Sequence, residues 1–250
     1  MPLYEQDLAL VHAEGFGGYA EAALSALMPV LHGSEPPVRR VLDVGCGAGA
    51  GSKALVRAGF EVIGLDPSEA LLDHARRAAP EGTFLRRSAY GEPLPPADAV
   101  VAIGEPLTYH ALEADAGATL RAFFAEVARA LPEGGWLMFD LIDAEGPPLS
   151  TRSFRSAEDW LVVSETVEDI VGRRLVRRIE TFVREPGSDT YRRRRETHHV
   201  KLFARSQVIE WLEAAGFEPL LLPPLPEAAR LPRRFALGAR RAKTSAISPA

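Results

Sequence analysis

Residues Val41-Leu42-Asp43-Val44-Gly45-Cys46-Gly47-Ala48-Gly49 carry a largely apolar strand into a glycine-rich bend. Glycine lets the backbone turn through left-handed angles and approach a ligand closely, with amide N–H groups aimed at it. Seventeen residues beyond Gly49, a second apolar strand ends in Asp66. An acid at that strand tip is placed to accept hydrogen bonds from both hydroxyls of a ribose. Together the two features constrain the chain to an α/β fold with its ligand at the carboxyl edge of a parallel sheet, and they point to a nucleoside-bearing cofactor.

The flanking sequence agrees. Helix-compatible spacing over 3–13 and 19–31 is broken by Gly15, Gly17 and Gly18. Strands are then expected at 39–44, 61–65, 83–87, 98–103 and 135–141, with helices at about 50–58, 68–78 and 113–131. The strands are rich in Val, Ile and Leu without polar alternation, which implies burial on both faces. Ser68 is placed to cap one helix, and Leu131-Pro132-Glu133-Gly134-Gly135 to end another. From Ser153 the pattern changes to three period-two segments, 159–169, 173–185 and 190–203, which read as an antiparallel meander. A helix at 205–215, a strand at 217–222, a Pro-rich loop and a strand near 234–240 return to the main sheet, and the tail beyond Thr244 reads as disordered. The expected fold is a doubly wound, mostly parallel, seven-stranded Rossmann-like sheet with an antiparallel last strand and an antiparallel β lobe over its carboxyl edge. Residues 1–35 form a helical cap, 36–150 with 204–242 the Rossmann-like domain, and 151–203 the lobe.

The choice of cofactor turns on charge. Gly45, Gly47 and Ala50 match a dinucleotide fingerprint with a tolerated third position, but Asp43 stands two residues before the first glycine. A carboxylate there repels a pyrophosphate and suits a ligand carrying an ammonium and a sulfonium. Electrostatics therefore favour S-adenosylmethionine. Residues 40–141 resemble the class I S-adenosylmethionine-dependent methyltransferases, through VLDVGCGAG, VIGLDPS and LPEGGWLMFDL. The remainder resembles small-molecule methyltransferases that insert an antiparallel sheet after the fifth strand, including some sugar N-methyltransferases, through Glu196-Thr197-His198-His199-Val200-Lys201-Leu202-Phe203.

The resemblance implies that Gly45, Gly47 and Gly49 cradle the methionine part of the cofactor, that Asp43 supports the loop or the amino group, and that Asp66 holds the ribose. Cys46, Pro67 and Gly104 are counted with them by position. Ser88 stands where the family usually has an acid for the adenine amino group; its hydroxyl can accept a hydrogen bond and the Ala89 N–H can donate one. After the fourth strand, Glu105 is a candidate to orient an amine or take its proton, and Tyr109 to wall the cavity. His110 is expected at the surface. On the meander Glu196 and His198 share a face, and His198 is the candidate base if that face covers the pocket, with a half-buried strand histidine as the alternative. Tyr4, Phe16 and Tyr19 either form a lid over cofactor and substrate or belong to helices packed on the sheet. Arg192 to Arg195 put two guanidiniums on each face, as an anion-greeting patch or as a solvated edge that deters aggregation.

Composition closes off other classes. Cys46 is the single cysteine, which excludes an internal disulfide or a thiol-based metal site, and no acid–base partner in sequence supports a catalytic thiol. No stretch reaches the length of a membrane span. The expectation is a cytoplasmic enzyme, and a homodimer is one assembly it allows. Residues 1–150 hold 10 basic and 21 acidic groups, a balance that repels a phosphate backbone and argues against nucleic acid as the partner. The expected reaction is methyl transfer to a nitrogen or oxygen of a small molecule, with no metal. An NAD(P)-dependent oxidoreductase and a non-catalytic nucleoside-binding module are the alternatives.

Overall fold

In a computed structural model, the structure describes residues 3–109, 115–220, 222 and 232–243. Two helices, α1 (Gln6–Gly15) and α2 (Gly18–His32), precede the alternation β1 (Arg40–Val44), α3 (Ala50–Arg57), β2 (Glu61–Asp66), α4 (Glu69–Ala78), β3 (Thr83–Arg86) and β4 (Ala99–Ala102). A 3-10 turn at Pro106–Thr108, α5 (Ala116–Ala130) and β5 (Trp136–Ile142) follow. The lobe strands are β6 (Ser150–Ser156), β7 (Trp160–Asp169), β8 (Arg174–Arg184) and β9 (Tyr191–Lys201). The chain returns through α6 (Arg205–Ala214), β10 (Phe217–Leu220) and β11 (Arg234–Arg241). His110, the Pro-rich loop at 223–231 and the tail beyond Thr244 lie outside the described residues.

The main sheet has the order β10-β11-β5-β4-β1-β2-β3, with β11 inserted antiparallel between β5 and β10. This is the seven-stranded, mostly parallel sheet that the apolar strands imply. Successive residues of the central strands feed two different cores. Leu42, Val100 and Leu137 face α5 and α6 with Phe123, Phe124 and Leu212, while Val41, Val101 and Met138 face α2 and α3 with Leu24, Leu27 and Leu55. Both faces are therefore apolar, and polar alternation has no place in these strands. Ser68 accepts from the Leu71 N–H at 3.3 Å and starts α4, so Asp66, two residues earlier, is held at the tip of β2.

The lobe has four strands, not three. Ser150–Ser156 adds an edge strand beside β7, and all seven of its residues are exposed. Exposure on both faces removed the apolar alternation that marked its neighbours, which is why the sequence pattern passed over it. Helix α1 packs against the lobe through Leu8 and Val11, which meet Trp160, Val162, Ile179 and Val183. The arginine run lies on the edge strand β9 with Arg193, Arg194 and Arg195 exposed, the setting of the solvated-edge reading, and its guanidiniums also make ion pairs. Arg192 grips the buried Asp7 of α1 at 2.6 Å, and Arg193 and Arg195 both pair with Glu180 across the strand. The alternate guanidiniums thus clamp α1 on one face and β8 on the other.

Candidate active site

A cavity of ≈ 800 Å³ opens at the carboxyl edge of the main sheet, between the glycine bend, α1 and the inner face of the lobe. The bend is tied to β2: the Gly45 and Cys46 N–H groups both donate to the Leu65 carbonyl, at 2.7 and 3.0 Å. Gly45 has φ +69°, and a Cβ there would lie 2.1 Å from Pro106 Cβ, so the loop after β4 can seat on the bend only because position 45 is glycine. The Gly47 N–H donates to Asp66 Oδ2 at 3.1 Å, and the Ser68 N–H donates to Oδ1 at 2.8 Å. Asp66 is 7% exposed and lines the cavity. Burial pushes its carboxyl up to about 6 against the two amide bonds that favour the ionised form. Each oxygen keeps acceptor capacity toward the cavity, which fits a pair of vicinal hydroxyls.

Pro67, Ser88, Ala89, Gly104, Cys46 and Tyr4 also line the cavity. The Ser88 hydroxyl accepts from the Tyr90 N–H at 3.1 Å. The Cys46 side chain packs with Leu72, Ala75 and Phe84, and burial raises its thiol well above the ordinary range, which leaves it a filler rather than a nucleophile. Gly49, expected to cradle the cofactor, and Asp43, expected to support the loop or the amino group, stand outside the lining. Asp43 accepts from Ser52 Oγ of α3 at 2.6 Å, and burial pushes its carboxyl up to about 6. Gly49 has φ +84°, and a Cβ there would meet Ala75 of α4 at 2.7 Å, so the position calls for glycine on both counts. Both brace the bend from behind.

Three expected catalytic residues fall into one buried cluster. Glu105, in a left-handed conformation at φ 74°, is fixed by its own N–H and that of Gly104, which donate to Asp140 Oδ1 at 3.1 and 2.8 Å. Its carboxylate lines the cavity already paired: Arg234 holds one oxygen and Arg177 the other, the latter at 3.3 Å. Tyr109 walls the cavity, with its hydroxyl 3.0 Å from that of Tyr4. His198 does share the inward face with Glu196, yet it does not line the cavity. Its ring is fully buried against Tyr4 and Tyr109, at centroid distances of 5.0 and 5.7 Å, and Nε2 donates to Glu196 at 2.9 Å. An imidazole behind two tyrosine rings and bonded to Glu196 has no direct contact with the cavity, the setting of the strand histidine that was the alternative to a base. The same Glu196 accepts the N–H groups of Tyr4 and Glu5, at 2.8 and 3.0 Å, and so pins the chain start to the lobe.

The amino-terminal aromatics divide between the two readings offered for them. Tyr4 and Phe16 line the cavity, while Tyr19 also reaches past it to donate to Asp140 and lies 4.5 Å under the Arg234 guanidinium. Four further residues matter that the sequence reading did not single out. His12 stands over the bend, with its Cε1 3.5 Å from where a Cβ on Gly47 would lie. Burial drives its imidazole down to about 4, so it is neutral at physiological pH. The i, i+4 stripe Leu8, His12, Phe16 was a usable signal. Asp140, fully buried in the otherwise apolar β5, was another. Arg177 and Arg234 had none, because each needs the facing of its strand to be known.

A mostly parallel open sheet with a glycine bend, a buried acid at the next strand tip and a deep crevice over its carboxyl edge is a Rossmann-like cofactor-binding enzyme domain. More narrowly, the chain belongs to a methyltransferase family: residues 16–222 match the family described as "Methyltransferase domain". It is 26% identical over 214 residues to the trans-aconitate 2-methyltransferase of Acidovorax sp., covering 79% of this chain and 75% of that one. Among solved structures it resembles the sugar N-methyltransferase of Streptoalloteichus sp., at TM-score 0.77 and 21% identity over 97% of this chain and 96% of that one. It also resembles the S-adenosylmethionine-bound amino pentose methyltransferase of Micromonospora echinaspora, at TM-score 0.70 and 23% identity over 97% and 99%. Among the described residues no helix is long and apolar enough to cross a membrane, and no group of three or more His, Cys, Asp or Glu is placed to hold a metal.

Proposed function

We propose that this chain transfers the methyl group of S-adenosylmethionine to a nitrogen or oxygen of a small molecule. The observation that carries this is the desolvated Asp66 carboxylate, held by the bend amide of Gly47 and turned to an otherwise largely uncharged cofactor end of the cavity. Asp43 behind the bend disfavours a diphosphate, and neutral His12 above it adds no positive charge beside a cationic donor. The similarity to enzymes named for trans-aconitate and for amino sugars supports a small-molecule acceptor. When bound, S-adenosylmethionine supplies a methyl group already activated by its sulfonium. The chain's work is then positioning and exclusion of water. Asp66 and the bend fix the donor end, Tyr4, Phe16 and Tyr109 close the apolar wall, and the Glu105–Arg177–Arg234 network sets the acceptor side. Calorimetry tests the reading: S-adenosylhomocysteine is expected to bind and NAD is not, and the opposite preference overturns it.

His198 acts in this scheme as a positioning residue, through Glu196 and Tyr4. His198→Ala is expected to lower kcat by roughly 10-fold to 100-fold, the range that misplacing a site by about 1 Å produces. Affinity for S-adenosylhomocysteine should change little, because Ser68 Oγ still donates to the Tyr4 carbonyl at 2.8 Å and holds that segment at the cofactor end. Unaltered kcat on the acceptor would remove His198 from the scheme.

A further inference from the structure

The register of the lobe lays its inner face out in rows. Thr151, Thr166, Arg177 and His198 are successive cross-strand partners, and Ser153, Ser164, Ile179 and Glu196 form the next row. His198 and Glu196 are covered by the chain start, whereas Thr151, Ser153, Ser164, Thr166 and Arg177 line the cavity. Partners in adjacent strands are about 5 Å apart, so the Thr151–Thr166–Arg177 row presents two hydroxyls and a guanidinium along roughly 10 Å of wall.

The polar groups of this wall have spare donors. The Arg177 guanidinium has one protein hydrogen bond among the described residues, to Glu105 at 3.3 Å. Thr151 and Thr166 have no protein hydrogen-bond partner for their hydroxyls among the described residues, and Ser153 and Ser164 bond each other at 2.9 Å. Arg155, at the mouth, has the Gly15 carbonyl as a partner and lies 5.1 Å over the Phe16 ring, with no carboxylate paired to it among the described residues. The acids on the cavity wall are both engaged: Asp66 belongs to the cofactor end, and Glu105 is held by two arginines. A cationic acceptor would meet a carboxylate whose charge two arginines already balance, and an anionic one finds arginine forks flanked by hydroxyl donors.

We propose that the inner face of the lobe anchors an oxyanion of the methyl acceptor, a carboxylate or a phosphate group, on Arg177 and Thr166, with Thr151, Ser153, Ser164 and Arg155 completing the wall. This deepens the methyltransferase reading and rests on it for the word acceptor, but the anion site itself stands on the geometry of the lobe. A planar guanidinium gives two parallel donors to a carboxylate or phosphate, and the neighbouring threonine hydroxyl supplies a third. The acceptor would be held by its charge at the lobe while its nucleophile reaches toward the bend.

The test is calorimetric titration with citrate and, separately, inorganic phosphate, on the free protein and on protein saturated with S-adenosylhomocysteine, with sodium chloride at matched ionic strength as reference. At least one anion is expected to bind with a dissociation constant in the millimolar range or below, and the stronger arm tells a carboxylate site from a phosphate site. Arg177→Met should weaken that binding at least 10-fold. Thr166→Val keeps the side-chain shape, lies outside the ion-pair network and should weaken it 3-fold to 10-fold, with S-adenosylhomocysteine affinity unchanged within 2-fold in this variant. Heats no different from chloride, or variants that bind the anion as the parent does, overturn the proposal. Anion binding without S-adenosylhomocysteine binding would leave the site standing and defeat the cofactor reading instead.

Discussion

Replacing Asp66 with alanine is expected to weaken S-adenosylhomocysteine binding by roughly 10²-fold to 10⁴-fold, since two hydrogen bonds to a charged acceptor are lost at about 1.5–3 kcal/mol each. The effect is large because the carboxylate is already desolvated in the protein, so a ribose meets an acceptor stripped of water. Asp66→Asn keeps one acceptor oxygen and should lose about 10-fold to 150-fold, one such bond's worth. The pH dependence follows from the raised carboxyl. With a value of about 6 in the ligand-free protein, Asp66 is protonated below that pH and gives up acceptor capacity. Ligand affinity should therefore rise as pH increases toward 6 and level off above it. Asp66→Asn should flatten that limb, and whatever limb survives in it belongs to Asp43, which titrates in the same range. Affinity that is independent of pH between 5 and 7 in the parent, or unaltered in the alanine variant, would take Asp66 out of the site.

The second large effect is expected at Gly45. Gly45→Ala should destabilise the protein by more than about 3 kcal/mol, the range of strained and overpacked positions, and abolish turnover. A useful comparison is Gly187, in the turn between β8 and β9. Its φ of +71° is close to the +69° of Gly45, but nothing lies within 4 Å of its missing Cβ. Gly187→Ala should cost only the backbone term, about 1 kcal/mol. The difference between the two variants in chemical denaturation isolates the collision with Pro106. That collision would push away the loop that carries Glu105, so the bend and the charge network fail together. Equal destabilisation of the two variants would show that the close approach of Pro106 contributes nothing.

The charge network explains how a loop with a left-handed glutamate is kept in place. Asp140, at the inner end of β5, accepts both loop amides and also meets Arg234 and Tyr19. Two acids and two arginines thus balance one another within a low-dielectric wall. Breaking such a set by removing one member leaves an uncompensated buried charge, which costs about 3–5 kcal/mol. This is why the cleaner test of the lobe is made at Thr166, away from the network, with Arg177 as the complement.

The seven-stranded sheet, the bend and Asp66 were legible in the residues because each leaves a local mark. Strands buried on both faces read as continuous Val, Leu and Ile, and a bend on which Pro106 must seat reads as glycine. The lobe was legible only in part. Ser150–Ser156 has no burial to impose a pattern, and without it the row that places Thr151 and Thr166 beside Arg177 cannot be drawn. Tertiary structure alone decided that His198 lies behind Tyr4 and Tyr109, that Glu105 is spoken for by two arginines, and that Gly49 and Asp43 brace the bend from outside the cavity. The physical reason is common to these cases. Periodicity and turn chemistry report how a residue meets its neighbours in the chain, whereas accessibility and charge pairing depend on side chains 72 to 192 positions away, as Glu105 with Arg177 and Tyr4 with Glu196 show.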